Sequence, residues 1–235
     1  MFTHLHVHTE YSLLDGMSKI PELLDRAQEL GFEAMAITDH GALYGAIDFY
    51  REAKARGIKP IIGVEAYVAP GSRFSRERAD AQPYHLVLLA RNLKGYKNLI
   101  ALVTKANLEG YYYKPRMDRE LLEQHSEGIT VLSGCPSSEF HRRLQEGDRE
   151  GAIAVARWYR EVFDGHYYLE VQEHGDEKFS RINRLIYEIG RELDIPVVAT
   201  NDSHYTFPHQ REAHDVLLAI GTNATIDQPD RFRIE

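Results

Sequence analysis

HLHVHTEYSLLDG, residues 4–16, decides how the chain is read. Side chains along an extended segment alternate between two faces. His4, His6 and His8 therefore share one face, and Leu5 and Val7 share the other. The apolar face suits a core. Three imidazoles on one side are either a solvated strand face or a set of ligands, and the rest of the chain bears on which.

The chain has 235 residues, 43% of them hydrophobic, which suits one large α/β domain or two small ones. No apolar run is long enough to span a bilayer. The start, MFTHLHVHTE, has no basic region followed by an apolar stretch, so no secretory leader is predicted and a cytoplasmic location is expected. Cys135 is the single cysteine, which excludes an internal disulfide. A net charge of −8 argues against a surface built to bind polyanions throughout. It leaves room for an acidic cluster neutralised by bound cations.

Strand-like runs alternate with helix-like runs. Strands are predicted over 2–8, 32–38, 60–69, 84–90, 129–134, 166–172 and 196–201. Helices are predicted over 18–30, 43–55, 95–108, 149–163, 178–193 and 208–220, with Ser18 as N-cap and Gly31 as stop for the first. Residues 70–82 are polar and read as a loop. The alternation predicts parallel strands joined by right-handed crossovers, either as an open doubly wound sheet or as a closed β/α barrel. No G-x-G-x-x-G follows the first strand and no Walker loop occurs, so the nucleotide-binding version of the open sheet lacks its signature. Residues 221–235 are polar and read as a connector after a domain spanning 1–220.

Ligand-type side chains recur where strands end. His6 and His8 close the first strand, Asp15 lies in the turn after it, and Asp39 and His40 follow the second. Glu65 sits inside the third, His85 opens the fourth, Cys135 follows the fifth, and Asp202 and His204 follow the seventh. In parallel α/β folds that edge is where sites assemble. Taken singly, each has a plain structural reading: a hydrogen-bonded core histidine, a small buried thiol, a turn residue. Taken together, so many buried ionisable groups without partners would cost several kcal/mol each. Shared coordination of metal accounts for them at once. Imidazole, carboxylate and thiolate suit zinc, manganese or iron better than calcium or magnesium, and the number of groups suits two or three ions.

HLHVHTEYSLLDG, AITDHG, PIIGVEAYV, YHLVLLA, LSGCPSS and VATNDSHY, in that order, resemble the PHP (polymerase and histidinol phosphatase) family. GYYYKPRMD and TIDQPDRFRIE are similar to its subgroup at the N-terminus of bacterial replicative DNA polymerases. The resemblance implies a distorted seven-stranded (β/α)7 TIM-like barrel with a trinuclear metal centre and phosphoester hydrolysis. It implies one metal on His6, His8, Glu65 and Asp202, a second on Asp15, His40 and His204, and a third on Glu65, His85 and Cys135, with Glu65 bridging. Arg116 and His174 fall outside that set and either touch substrate or shape loops. The implied activity is 3′–5′ proofreading exonuclease action on a DNA 3′ end, bound weakly by this chain alone. The implied partners are the polymerase core of the same parent chain and a replisome proofreading subunit; no membrane is involved. The alternatives are a small-molecule phosphatase of histidinol-phosphatase type and a metal-stapled scaffold without turnover.

Overall fold

The computed structural model describes residues 2–173, 175, 177–231 and 233. In chain order the elements are α1 (Ile20–Glu29), β1 (Ala34–Ile37), α2 (Ala46–Ala55), β2 (Lys59–Val68), β3 (Tyr84–Ala90), α3 (Leu93–Leu108), β4 (Tyr111–Tyr112) and β5 (Lys114–Met117). Then come α4 (Arg119–Gln124), β6 (Ile129–Leu132), α5 (Glu139–Gln145), α6 (Arg149–Val162), β7 (Tyr167–Gln172), α7 (Glu177–Leu193), β8 (Val197–Thr200) and α8 (Arg211–Gly221).

The helices form where an apolar stripe of helical period meets a stop. In α1 the buried residues are Ile20, Leu23, Leu24 and Ala27, and Gly31 ends the run with φ of +71°, a conformation glycine adopts freely. Ser18 does not cap this helix; Lys19 holds the cap position without a side-chain bond, and Ser18 is bridged to Thr9 instead. The short helices α4 and α5 are absent from the sequence expectation because a run of six or seven residues shows little periodicity. Their starts are nonetheless fixed chemically, by Asp118 accepting from Leu121 N and Ser138 accepting from His141 N.

The sheet runs β4-β5-β2-β3-β6-β7-β8, with β1 also paired to β2. β2 is long enough to hold β1 along its first half and β5 along its end. The expectation of all-parallel pairing is corrected at β3, which runs antiparallel to both β2 and β6. A parallel return needs a crossover, usually an α-helix. Only a loop with one 3-10 turn, Arg78–Ala81, joins β2 to β3.

Residues 4–8 form only isolated bridges, not the regular strand expected. They still fill the gap between the first and last strands. On one side Ala36 N donates to His4 O (2.8 Å) and Thr38 N to Val7 O (2.9 Å). On the other, His8 N donates to Ser203 O (2.8 Å) and Ser203 N to His6 O (3.3 Å). With this segment the sheet curls into a distorted seven-staved barrel: residues 4–8, β1, β2, β3, β6, β7 and β8.

Alternation then sorts the side chains. Val64, Ala66, Val68, Leu86 and Leu88 face the outer helices and join the main core. Val87, Leu89, Ala36 and Leu132 form a separate apolar cluster. Val87 and Leu89 share a strand face with His85, so one face of β3 passes from apolar at one end to polar at the other.

Arg116, on β5, is fully buried. Its guanidinium donates to the main-chain oxygens of Gly110 (3.0 Å), Asp80 (3.0 Å), Arg73 (3.1 Å) and Ser75 (2.6 Å). It therefore clamps the 70–82 loop and is not available to a substrate. Leaving those carbonyls unpaired costs about 1–3 kcal/mol per buried group. Arg116→Met is expected to lower the unfolding free energy by roughly 3 kcal/mol or more in a urea titration, and to make the 70–82 loop a site of proteolytic nicking.

Candidate metal centre

Because β3 is antiparallel, its first residues lie at the same sheet edge as the last residues of the parallel strands. That brings His85 beside Glu65, with Tyr67 paired to His85 in register. His6 and His8 arrive from the N-terminal segment, His40 from the turn after β1, Cys135 from the turn after β6, and Asp202 and His204 from the turn after β8. Asp202 takes φ of +50°, a left-handed conformation that aspartate tolerates better than most residues.

Glu65 is the hub and is 1% exposed. Its Oε2 lies 2.7 Å from His40 Nδ1 and 3.5 Å from His8 Nε2. Its Oε1 lies 3.0 Å from His85 Nδ1, 3.3 Å from His6 Nε2 and 3.4 Å from Cys135 Sγ. Asp202 Oδ1 sits 3.2 Å from His6 Nε2 and 3.1 Å from His8 Nε2. Asp15 Oδ2 lies 2.6 Å from His40 Nε2 and 3.5 Å from His204 Nε2. All nine groups implied as ligands thus meet in one place. His4 does not join them; its ring packs on Phe2 and Phe32. His174 lies outside the described residues.

The cluster is poorly explained by hydrogen bonding. His6 Nε2, His8 Nε2, His40 Nδ1, Glu65 Oε2 and Asp202 Oδ1 are all buried and make no hydrogen bond, although they crowd one another. Nitrogen and oxygen atoms gathered around a common point are what a cation needs. Donor atoms at about 2.05 Å from a tetrahedral zinc stand about 3.3 Å apart, close to the spacings here. Triads such as His6, His8 and Asp202, or His40, Glu65 and His85, have ligand atoms within 4.8 Å of each other. The residues fit a set of divalent ions.

A surrounding layer orients the rings, and here the sequence expectation missed residues. His6 Nδ1 bonds Glu170 Oε1 (2.7 Å), His8 Nδ1 bonds Ser12 Oγ (2.9 Å), and His204 Nδ1 bonds the Asp202 carbonyl (2.7 Å). Each bond fixes a proton on Nδ1 and turns the Nε2 lone pair inward. Ser12 Oγ in turn donates to Asp39 Oδ1 (2.9 Å), which also accepts from Thr9 N (2.6 Å). Asp39 is thus spent on holding the 9–16 loop. His214 on α8 bonds the Asp15 carbonyl (2.8 Å) and fixes the same loop from outside. Glu170 is fully buried and also accepts from Thr200 Oγ1, Gln172 Nε2 and Gly134 N. Its signal in the sequence is a lone carboxylate inside the apolar run YYLEVQ.

Electrostatics follow from this crowding. Burial disfavours charge on His40, but Glu65 and Asp15 outweigh it and push the imidazole up to about 10. For His8, burial and the neighbouring His204 and His40 win, and it is pushed down to about 3. Burial opposes the Glu65 carboxylate, yet His85, His40 and His6 hold it well below the usual range. Burial, followed by the carboxylates of Glu65 and Asp202, pushes the Cys135 thiol well up, so it stays protonated until a cation displaces the proton.

A cleft of about 450 Å³ opens at the mouth, with Asp15 and His40 in its wall. The floor residues His6, His8 and Glu65 are sealed, whereas the side chains of Asp15 (25%), His85 (21%) and Asp202 (18%) retain access to solvent. No helix among the described residues is long and apolar enough to cross a membrane.

A family model described as the PHP domain matches residues 4–174. The DNA polymerase III subunit alpha of Deinococcus radiodurans is 46% identical over 241 residues, covering 99% of this chain and 18% of that one. The same subunit of Treponema pallidum is 46% identical over 237 residues, covering 100% and 20%. The chain therefore spans about a fifth of the length of these relatives. Among solved structures, a Bifidobacterium adolescentis protein described as a metal-dependent phosphoesterase is similar with a TM-score of 0.57, at 16% identity, over 88% of this chain and 89% of that one. At that identity the likeness is one of fold.

Two outcomes are expected. At pH 7 in weak buffer, adding zinc to the metal-free protein releases protons measurable by pH-stat, because His40 and the Cys135 thiol hold theirs at that pH. Protonation competes with coordination, so affinity falls as pH is lowered. Glu170→Gln weakens metal binding by about 10–100-fold in a chelator competition, the usual cost of losing an outer-layer partner.

Proposed function

The chain belongs to the PHP family, and from that premise we propose that it is a metal-dependent phosphoesterase domain of a bacterial replicative DNA polymerase chain. Its reaction is hydrolysis of DNA phosphodiesters from the 3′ end, a 3′–5′ proofreading exonuclease. The observation that carries this reading is the set of buried nitrogen and oxygen atoms around Glu65 that point at one another without hydrogen bonds. The relatives supply the context: each is a replicative polymerase subunit of which this chain matches one part. In that setting residues 1–220 form the domain and 221–235 lead to the polymerase core. The setting is the bacterial cytoplasm, and a separate proofreading subunit is a further partner.

His6, His8, Glu65, His85, Cys135 and Asp202 would hold the ions, with Asp15, His40 and His204 completing the set. Divalent ions held there would supply a nucleophile at neutral pH and stabilise charge on the leaving oxygen. Glu65 presents both oxygens, one to His40 and His8 and the other to His85, His6 and Cys135, and so fixes the spacing of the site. Glu170 and Ser12 hold protons on His6 and His8 at Nδ1, so that neither ring flips. Asp15 and His40 line the cleft and meet an incoming phosphate first. The net charge of −8 leaves little long-range attraction for DNA, so delivery of the strand falls to the polymerase.

A second reading, a metal-stapled scaffold, draws on the same geometry, since the ligands tie remote segments together. Turnover separates the two. Manganese-loaded protein is expected to shorten a 5′-labelled single-stranded oligonucleotide from its 3′ end, resolved on a sequencing gel, in preference to a small phosphomonoester. His8→Ala and Asp202→Asn are each expected to lower that rate by more than the about 10–100-fold typical of an outer-layer loss. Activity undiminished in both variants contradicts the assignment. Metal-dependent thermal stabilisation without turnover favours the scaffold.

A further inference from the structure

The cleft beside the cluster carries more tyrosine than a route for water and phosphate requires. Tyr44, Tyr67, Tyr111 and Tyr113 line it together with Lys114. Tyr67 is buried and stacks on His40, with ring centroids 5.7 Å apart and planes 14° apart. Lys114 Nζ lies 5.3 Å from the centre of the Tyr67 ring. The others stand in solvent: Tyr44 is 67%, Tyr111 57% and Tyr113 70% exposed.

Two of the rim residues are held there against backbone preference. β4 and β5 form a hairpin in which Tyr112 pairs with Lys114, so Tyr113 alone makes the tip. Its φ is +59°, where a turn ordinarily carries glycine or asparagine. Leu14, which also lines the cleft, has φ of +64° and is 55% exposed. A bulky side chain in left-handed backbone and in water is disfavoured twice. Both displays are explained if the rim has something flat and apolar to hold.

We propose that this cleft is a nucleobase subsite that takes the unpaired terminal nucleotide of a single strand. The inference rests on the hydrolytic reading above. A phosphodiester placed against Asp15 and His40 carries its base on the adjoining sugar, and the cleft adjoins both residues. The volume of about 450 Å³ is that of a small-ligand pocket. A base enters it only when unstacked and unpaired. Aromatic faces bind any base, so the site reads fraying rather than sequence. Lys114 supplies a positive charge for the neighbouring phosphate at the cleft wall, where the chain as a whole is acidic.

The test is a fluorescence titration of the metal-loaded 235-residue chain at low ionic strength. The probe is a short single strand with 2-aminopurine as its 3′-terminal base and a phosphorothioate at the last linkage. Binding is expected to quench the terminal base. An otherwise identical strand lacking that base, added as a dark competitor against the 2-aminopurine strand, is expected to bind roughly 5- to 150-fold more weakly, the range for loss of one stacked base. The Tyr44→Ala/Tyr113→Ala pair, both exposed, is expected to lose the quenching and the preference while metal content, measured in parallel, shows the cluster intact. Equal affinity with and without the terminal base, unaltered quenching in the double variant, or no binding at all overturns the proposal. The exposed rings would then belong to a protein contact. A strand with ordinary linkages that binds through its terminal base yet is never cut refutes the hydrolytic reading and leaves the subsite standing. Cutting without base dependence does the reverse.

Discussion

A carboxylate with almost no access to water, that of Glu65, stands among four imidazoles and a thiol, and the barrel is arranged around keeping it there. An isolated buried carboxylate is expensive by several kcal/mol. The neighbouring histidines offset that cost, but their geometry is wrong for hydrogen bonds at His6 Nε2, His8 Nε2 and His40 Nδ1. Coordination to shared cations would satisfy all of these atoms together. Closure of the barrel serves the same end: residues 4–8 bond β1 on one side and the turn after β8 on the other, which sets His6 and His8 over Glu65 and Asp202.

The cluster was largely legible in the sequence because its candidate ligands come from strand ends, and strand ends are marked by a change from apolar to polar residues. HVH, TDHG, SGCP and NDSH each follow that rule. His85 breaks it, standing at the start of its run, and the antiparallel course of β3 is the reason. Strand direction is set by the connection. The polar 70–82 loop without a long helix was the available clue to a reversal.

Other features were less accessible for physical reasons. The β4–β5 hairpin has strands of two and four residues, too short to alternate, and its tip is a tyrosine rather than a glycine. Glu170 and His214 act on partners remote in sequence, Glu170 and His6 being 164 positions apart, and Ser12, only four residues from His8, shows no pattern that sets it apart from any other loop serine. Arg116 illustrates the opposite case. A cation in a motif invites a binding role, yet four main-chain oxygens consume its guanidinium. Partner atoms in space decided these assignments, and a linear pattern does not contain them.

The proposed chemistry depends on cations occupying the space around Glu65. The direct measurement is anomalous diffraction at the metal edge from crystals of the protein loaded with zinc or manganese. Peaks are expected about 2.0–2.3 Å from Glu65 oxygens, flanked by His8 and His40, with these side chains turned as they are here. Featureless anomalous maps at that point, with the side chains engaged in ordinary hydrogen bonds instead, would contradict it.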